Sequence, residues 1–209
     1  MRALRRSPTA VTLALVLAVF ACQRAAGAVG LRGLFALSNP LLSRPWTLVT
    51  SVYAHASVSH LVANAVALAL GGVLVERLTT PARFHAFFAG VGVLAGVTQV
   101  ALVGLVGPLV PWLPAQVAVL GASGAILGLY GYLLGANRLT ERIVGGVELA
   151  PRSQLAAGVL VAALVTLLTA NPGAALVAHF TGLLVGFLAG RTHLLAPGEG
   201  ARERQSAVE

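Results

Sequence analysis

The sequence has no lysine and no aspartate: its fourteen positive side chains are all arginine and its six acids are all glutamate. Charge of either sign is scarce, at 10% of 209 residues, beside 57% hydrophobic residues and a mean hydropathy of +0.89. A soluble domain of this size carries roughly 25% charged residues to keep its surface wet. So few charges exclude an ordinary water-soluble globule and leave lipid as the solvent for most of the surface. A single cysteine, Cys22, excludes an intramolecular disulfide and any metal site built from a Cys/His cluster. The absence of aspartate excludes an aspartyl protease dyad and an aspartate that orients a catalytic histidine. No H-E-x-x-H run supports a membrane zinc protease. No metal and no cofactor are expected. The pI near 11.5 raises nucleic-acid binding, but no basic run exceeds Arg5-Arg6 and no basic face alternates with aromatics. The excess charge reads as membrane anchoring, and the Arg, Ala, Gly and Val bias as that of a prokaryotic genome.

What is present is long apolar runs. Six stretches, Thr9–Val29, His55–Val75, His85–Val106, Gln116–Ala136, Ser153–Ala170 and Ala174–His193, each approach the ~20 residues that cross a ~30 Å hydrocarbon core. None has a wet face, and an open sheet is too costly in lipid. The expected fold is an all-α, polytopic membrane bundle of six transmembrane helices. Residues 1–8 form a cytoplasmic N-terminal segment, 9–193 the membrane domain and 194–209 a disordered cytoplasmic tail. With the N-terminus inside, eleven arginines fall on inner segments and Arg24, Arg32 and Arg44 on outer ones. This positive-inside bias predicts both termini in the cytoplasm of a prokaryotic cell membrane. The first stretch has a second reading: Ala10–Ala21 followed by small residues resembles a signal peptide, and Val19-Phe20-Ala21-Cys22 a lipoprotein cleavage box, against a retained helix.

Polar side chains inside such spans are costly and therefore functional candidates. The second span carries His55, Ser57, Ser59, His60 and Asn64, the third Thr98 and Gln99, the fourth Ser123, the fifth Thr166 and Thr169, and the sixth His179 and Thr181. Ser123 lies between Gly121 and Gly124, which leave its hydroxyl uncovered and admit a second backbone. After the Pro111–Pro114 loop it is expected a few turns into the fourth span. A serine hydroxyl is a weak nucleophile unless an imidazole accepts its proton. His179 shares a helix face with Gly182, Gly186 and Gly190, while Gly124, Gly128, Gly131 and Gly135 make a similar stripe on the fourth span. Close packing of two small-residue faces would bring Ser123 to His179. His60 and Asn64, one turn apart, are suitable donors to an oxyanion beside the Ser123 N–H. Helix-to-helix hydrogen bonding is the rival account of that pair.

The run Pro45-Trp46-Thr47, His55, His60-Leu61-Val62-Ala63-Asn64, then Gly121-Ala122-Ser123-Gly124, then Ala178-His179-Phe180-Thr181-Gly182 and Gly186 resembles the rhomboid intramembrane proteases, from about Trp46 to Gly190. G-x-S-G alone is weak; with H-x-x-x-N upstream and A-H-x-x-G-x-x-x-G downstream the set is specific. The resemblance implies a catalytic dyad of Ser123 and His179, with His60 and Asn64 at the oxyanion and His55, Gly121 and Gly124 supporting the site. It also implies single-span membrane proteins as substrates, cut near the outer end of their helix, and an active site opening to the outer face. Two positions depart: Thr47 stands where some members carry Arg, and Leu127 where some carry a Tyr beneath the histidine, with Tyr130 one turn further on. The alternatives from other classes are a catalytically inactive rhomboid-like adaptor that binds client helices, and a small transporter, which would need polar residues across the midplane.

Overall fold

The computed structural model describes residues 7–31, 33–109, 118–136, 151–169 and 175–196. Among the described residues, seven α-helices follow in order: α1 (Pro8–Ala28), α2 (Thr47–Tyr53), α3 (Val58–Glu76), α4 (Pro81–Val106), α5 (Ser123–Ala136), α6 (Pro151–Leu168) and α7 (Leu176–Arg191). Two two-residue strands, β1 (Leu37–Ser38) and β2 (Ala118–Val119), pair antiparallel, Leu37 opposite Val119 and Ser38 opposite Ala118.

The helix starts are written locally. Pro8 and Pro81 open α1 and α4, where a missing N–H costs nothing, and Ser7, Ser57 and Thr80 cap α1, α3 and α4. Glu76 Oε2 accepts from Ser7 Oγ at 2.7 Å and from Thr9 N at 3.1 Å, so a carboxylate at the end of α3 neutralises the start of α1. At the same end Arg83, in the first turn of α4, donates to the carbonyls of Leu194 and Ala196 just past α7. Leu195 is buried there. Residues 194–196 are thus held against the bundle, a few residues beyond the domain end read from sequence; 197–209 lie outside the described residues.

The surface carries apolar side chains in number: Leu70, Leu160 and Leu167 are each at least 64% exposed. Leucines exposed to this degree on several helices would be untenable on a soluble monomer and are normal against lipid. Helices Pro8–Ala28 and Val58–Glu76 and the run Pro81–Leu109 are long and apolar enough to cross a membrane, and Ser123–Ala136, Leu155–Leu168 and Leu176–Arg191 are shorter apolar helices.

The fourth apolar stretch corrects the sequence reading. The helix begins at Ser123, not near Gln116, so Ser123 is its first residue and not one several turns along. Its fourteen residues span only ~21 Å. The preceding backbone is extended and is satisfied elsewhere: Ala118 and Val119 pair with β1, and Gly121 N donates to Ser51 O at 2.9 Å. Non-helical backbone at membrane depth requires that kind of internal partner.

The centre of the bundle is α5 against α7. A Cβ on Gly182 would run into the Gly124 carbonyl oxygen, one on Gly186 into that of Gly128, and one on Gly190 into that of Tyr132. Reciprocally, Gly131 and Gly135 meet the carbonyls of Leu183 and Phe187. The two glycine stripes pack backbone on backbone, as their spacing predicts. Around them Phe84, Phe88, Val91, Leu129 and Tyr132 fill the remaining interior.

Gly186→Val should therefore lower the thermal midpoint in detergent strongly, at the upper end of the ~1–3 kcal/mol typical of overpacking. Gly90→Ala, on an open face of α4 with nothing within 4 Å, should leave it unchanged.

Candidate active site

Ser123 and His179 stand at the same end of α5 and α7, the end opposite Glu76 and Arg83. The glycine contact sets their spacing: Gly124, next to Ser123, lies against Ala178 O and against Gly182. Ser123 Oγ is 3.0 Å from His179 Nε2. The histidine is 9% exposed. Its helix is fastened from the side by Gln99 of α4, whose Oε1 accepts from Ala178 N at 3.1 Å and so takes up one of the four N–H groups that open α7.

His60 and Asn64 approach from α3. Ser57 Oγ accepts from His60 N at 3.1 Å, which starts the helix so that His60 falls in its first turn and Asn64 one turn later. The His60 ring lies on Gly121: a Cβ there would be 2.7 Å from His60 Cε1. Gly121 also has φ +137°, a conformation costly to any other residue. Asn64 is buried, and its Nδ2 is 2.9 Å from His55 Nε2.

The protonation of His55 follows from its partners. Nδ1 is 3.1 Å from Tyr53 O, and a carbonyl can only accept, so Nδ1 carries the proton and Nε2 of the neutral ring accepts from the Asn64 amide. That fixes which way the amide faces and leaves the second N–H of Nδ2 for another acceptor. The His55 and His60 rings meet edge to face, centroids 5.0 Å apart. His55 N in turn donates to Gln23 Oε1 of α1 at 3.0 Å.

All seven residues singled out from sequence, Ser123, His179, His60, Asn64, His55, Gly121 and Gly124, thus meet at one end of the bundle. The first N–H groups of α5 are also there: Ile126 N is the first to find a helical acceptor, Ala122 O. Those of Ser123, Gly124 and Ala125 precede the ladder and make up the positive end of the helix dipole.

The two departures resolve differently. Thr47 is buried and donates to Arg44 O at 2.6 Å, closing the turn before α2. Tyr130 does not serve the histidine; it turns to α3, its hydroxyl donating to Ala67 O at 3.1 Å. The neighbour of His179 Nδ1 is instead Thr169 Oγ1, at 3.1 Å. Sequence reasoning noted Thr169 and Gln99 as polar residues in the fifth and third spans without assigning them to the site. The usable signal was in the sequence Asn171-Pro172-Gly173, residue types that favour a turn and so predict that the flanking spans meet.

A cavity of about 510 Å³ adjoins this end of the molecule, between Gln23 and Arg24 of α1, Phe35 and Ala36 of the following loop, and His55 and Leu120. It reaches the site only through His55 and Leu120; neither Ser123 nor His179 lines it.

A helical membrane protein with a serine hydroxyl on an imidazole, and amide donors beside it, defines a class. Residues 42–195 match the Rhomboid domain family. The chain is 31% identical over 144 residues to the Bacillus subtilis (strain 168) protein named "Putative rhomboid protease YdcA", an alignment covering 68% of this chain and 64% of that protein. The chain thus spans less than two thirds of that relative's length. It belongs to the rhomboid family and is an integral membrane protein.

Gly121→Ala, which needs both the rare φ and the space of the His60 ring, should cost about 1–3 kcal/mol of stability. Thermal unfolding in detergent reads this, and a wild-type midpoint would show that the loop can move away from His60.

Proposed function

We propose that this protein is an intramembrane serine endopeptidase that hydrolyses peptide bonds in or near the transmembrane helices of single-span membrane proteins. One observation carries the reading: Ser123 Oγ sits 3.0 Å from His179 Nε2, within reach for proton transfer. Membership of the rhomboid family supports it.

In the proposed reaction Ser123 Oγ attacks the scissile carbonyl carbon while His179 Nε2 takes the hydroxyl proton. Negative charge gathers on the carbonyl oxygen, within the field of the α5 N-terminus, where the Ser123 N–H, the Asn64 amide and the His60 ring are the available donors. The imidazolium then protonates the leaving amine, and the acyl-enzyme forms. Water, activated by the same histidine, attacks the ester and returns the serine. No group beyond the side chains and backbone of this chain is needed.

The membrane arrangement belongs to the same proposal. The six apolar helices, α1 and α3 to α7, form the membrane domain, both termini lie in the cytoplasm of a prokaryotic cell, and the site opens to the outer face. The arginine distribution supports that orientation. So does the segregation of Arg83 and Glu76 to the end of the bundle away from Ser123. The short α5 beneath extended backbone would set the serine below the outer surface, where an unwound stretch of substrate helix could reach it.

A serine-reactive fluorophosphonate applied to detergent-purified protein tests the proposal. The wild type should label; Ser123→Ala should not, and His179→Ala should label at least ~100-fold more slowly while keeping the wild-type midpoint. An unlabelled wild type beside a labelled rhomboid control would move the protein to a helix-binding adaptor without activity. Asn64→Ala, which removes one oxyanion donor, should lower the cleavage rate of a transmembrane substrate about 100-fold.

A further inference from the structure

We propose that Thr169, the residue just past the end of α6, orients His179 and fixes the tautomer in which it can accept the serine proton; the inference rests on the dyad reading above and assigns a positioning residue to it.

The argument is an accounting of protons. Thr169 Oγ1 lies 2.9 Å from Val165 O, 3.1 Å from Thr166 O and 3.1 Å from His179 Nδ1. The two carbonyls can only accept, and the hydroxyl has one hydrogen to give. If it goes to a carbonyl of its own helix, the oxygen lone pairs accept from Nδ1–H. Nε2 is then unprotonated and accepts from the Ser123 hydroxyl at 3.0 Å. This arrangement makes three hydrogen bonds among the three side chains and the α6 carbonyls. The reverse tautomer makes two: the threonine donates to Nδ1, Nε2–H donates to Ser123 Oγ, and the serine hydrogen has no acceptor among the described residues. Ser123 is partly buried, so in the reverse tautomer its hydrogen would fall to solvent, whereas the first arrangement gives every one of these protons a protein acceptor. The favoured tautomer is the one a general base requires.

Position supports the same assignment. Gly158, Ala162, Thr166 and Thr169 make one stripe along α6, three and four residues apart. Gly158 meets the Phe187 ring of α7, and Ala162 and Thr166 are buried. Thr169 is the last residue of that stripe, and its own N–H still bonds Val165 O at 3.0 Å. Its backbone therefore continues the hydrogen-bond ladder of α6 by one residue, which places the hydroxyl beside the Val165 and Thr166 carbonyls. His179, one turn into α7, is equally fixed by the Gln99 cap and the glycine contact.

The test uses full-length protein labelled with ¹⁵N-histidine in micelles, comparing wild type with Thr169→Val, which keeps the shape and loses the hydroxyl, and Thr169→Ser, which restores it. His179→Asn assigns the His179 signals. Expected is an Nδ1–H tautomer in wild type and T169S, a shift toward Nε2–H in T169V, and fluorophosphonate labelling about tenfold slower in T169V alone. A T169V protein with the wild-type tautomer overturns the inference, whether or not its labelling rate changes, since a rate loss without a tautomer change would be a packing effect. Equal tautomer shifts in T169V and T169S also overturn it. If the wild type fails to label while the tautomer shifts as expected, the inference about Thr169 stands and the endopeptidase reading falls.

Discussion

The site depends on one contact, the backbone-to-backbone packing of α5 on α7. In lipid there is little hydrophobic gain from pressing two helices together, so association rests on van der Waals fit and on hydrogen bonds. Glycines let the Gly124 and Gly128 carbonyl oxygens sit where side chains at 182 and 186 would otherwise be. Ser123 is the first residue of α5, and His179 is three residues before Gly182. Once the stripes are in register, the distance from hydroxyl to imidazole follows. A slip of either helix by one turn would move the pair ~5.4 Å apart along the axis. The glycines nearest the dyad are thus as much a part of its geometry as the dyad itself.

Around that contact, the remaining polar groups are explained by what lipid forbids. Backbone that leaves the helix ladder must be paired by protein, and here it is: Ala118–Val119 by β1, Gly121 by Ser51, and Ala178 by Gln99. The partners come from three different elements, so the entry to α5 and the start of α7 are tied to the α1–α2 loop, to α2 and to α4. Rigid support of this kind holds a reacting pair in place without the reorganisation that a flexible or wet site would need.

Much of this was legible in the sequence, because periodicity and small-residue spacing are local properties. The glycine stripes, the His60–Asn64 turn and the pairing of Ser123 with His179 could be drawn from positions alone. What could not be read was any feature that depends on where two distant backbones meet. Hydropathy placed the start of a fourth stretch near Gln116, since Val119 and Leu120 are as apolar in an extended segment as in a helix. The strand pairing of Leu37 with Val119 leaves no periodic trace at two residues' length. Gln99 and Thr169 looked like isolated polar residues in spans; only the crossing of α4 and α6 with α7 shows what each is bonded to. Tyr130 illustrates the converse, a residue adjacent in sequence to the site that the helix rotates toward Ala67.

In the proposed reaction, a neutral partner for His179 determines where the stabilisation must come from. An aspartate would orient the imidazole and also stabilise the imidazolium formed as the serine attacks, but burying that carboxylate in a low-dielectric site carries a desolvation penalty of several kcal/mol before any substrate arrives. A threonine hydroxyl bonded to its own helix avoids that cost and still directs the ring. It offers little to the positive charge. In the proposed reaction the burden therefore falls on the other side of the ion pair: the oxyanion, held by the α5 N-terminus, the Asn64 amide and His60. His55 fixes the Asn64 amide through a bond that itself depends on the Tyr53 carbonyl. In that proposal the elaboration of neutral hydrogen bonds around the oxyanion and the sparseness around the base are two sides of the same constraint, a site with no carboxylate beside Ser123 and His179 among the described residues.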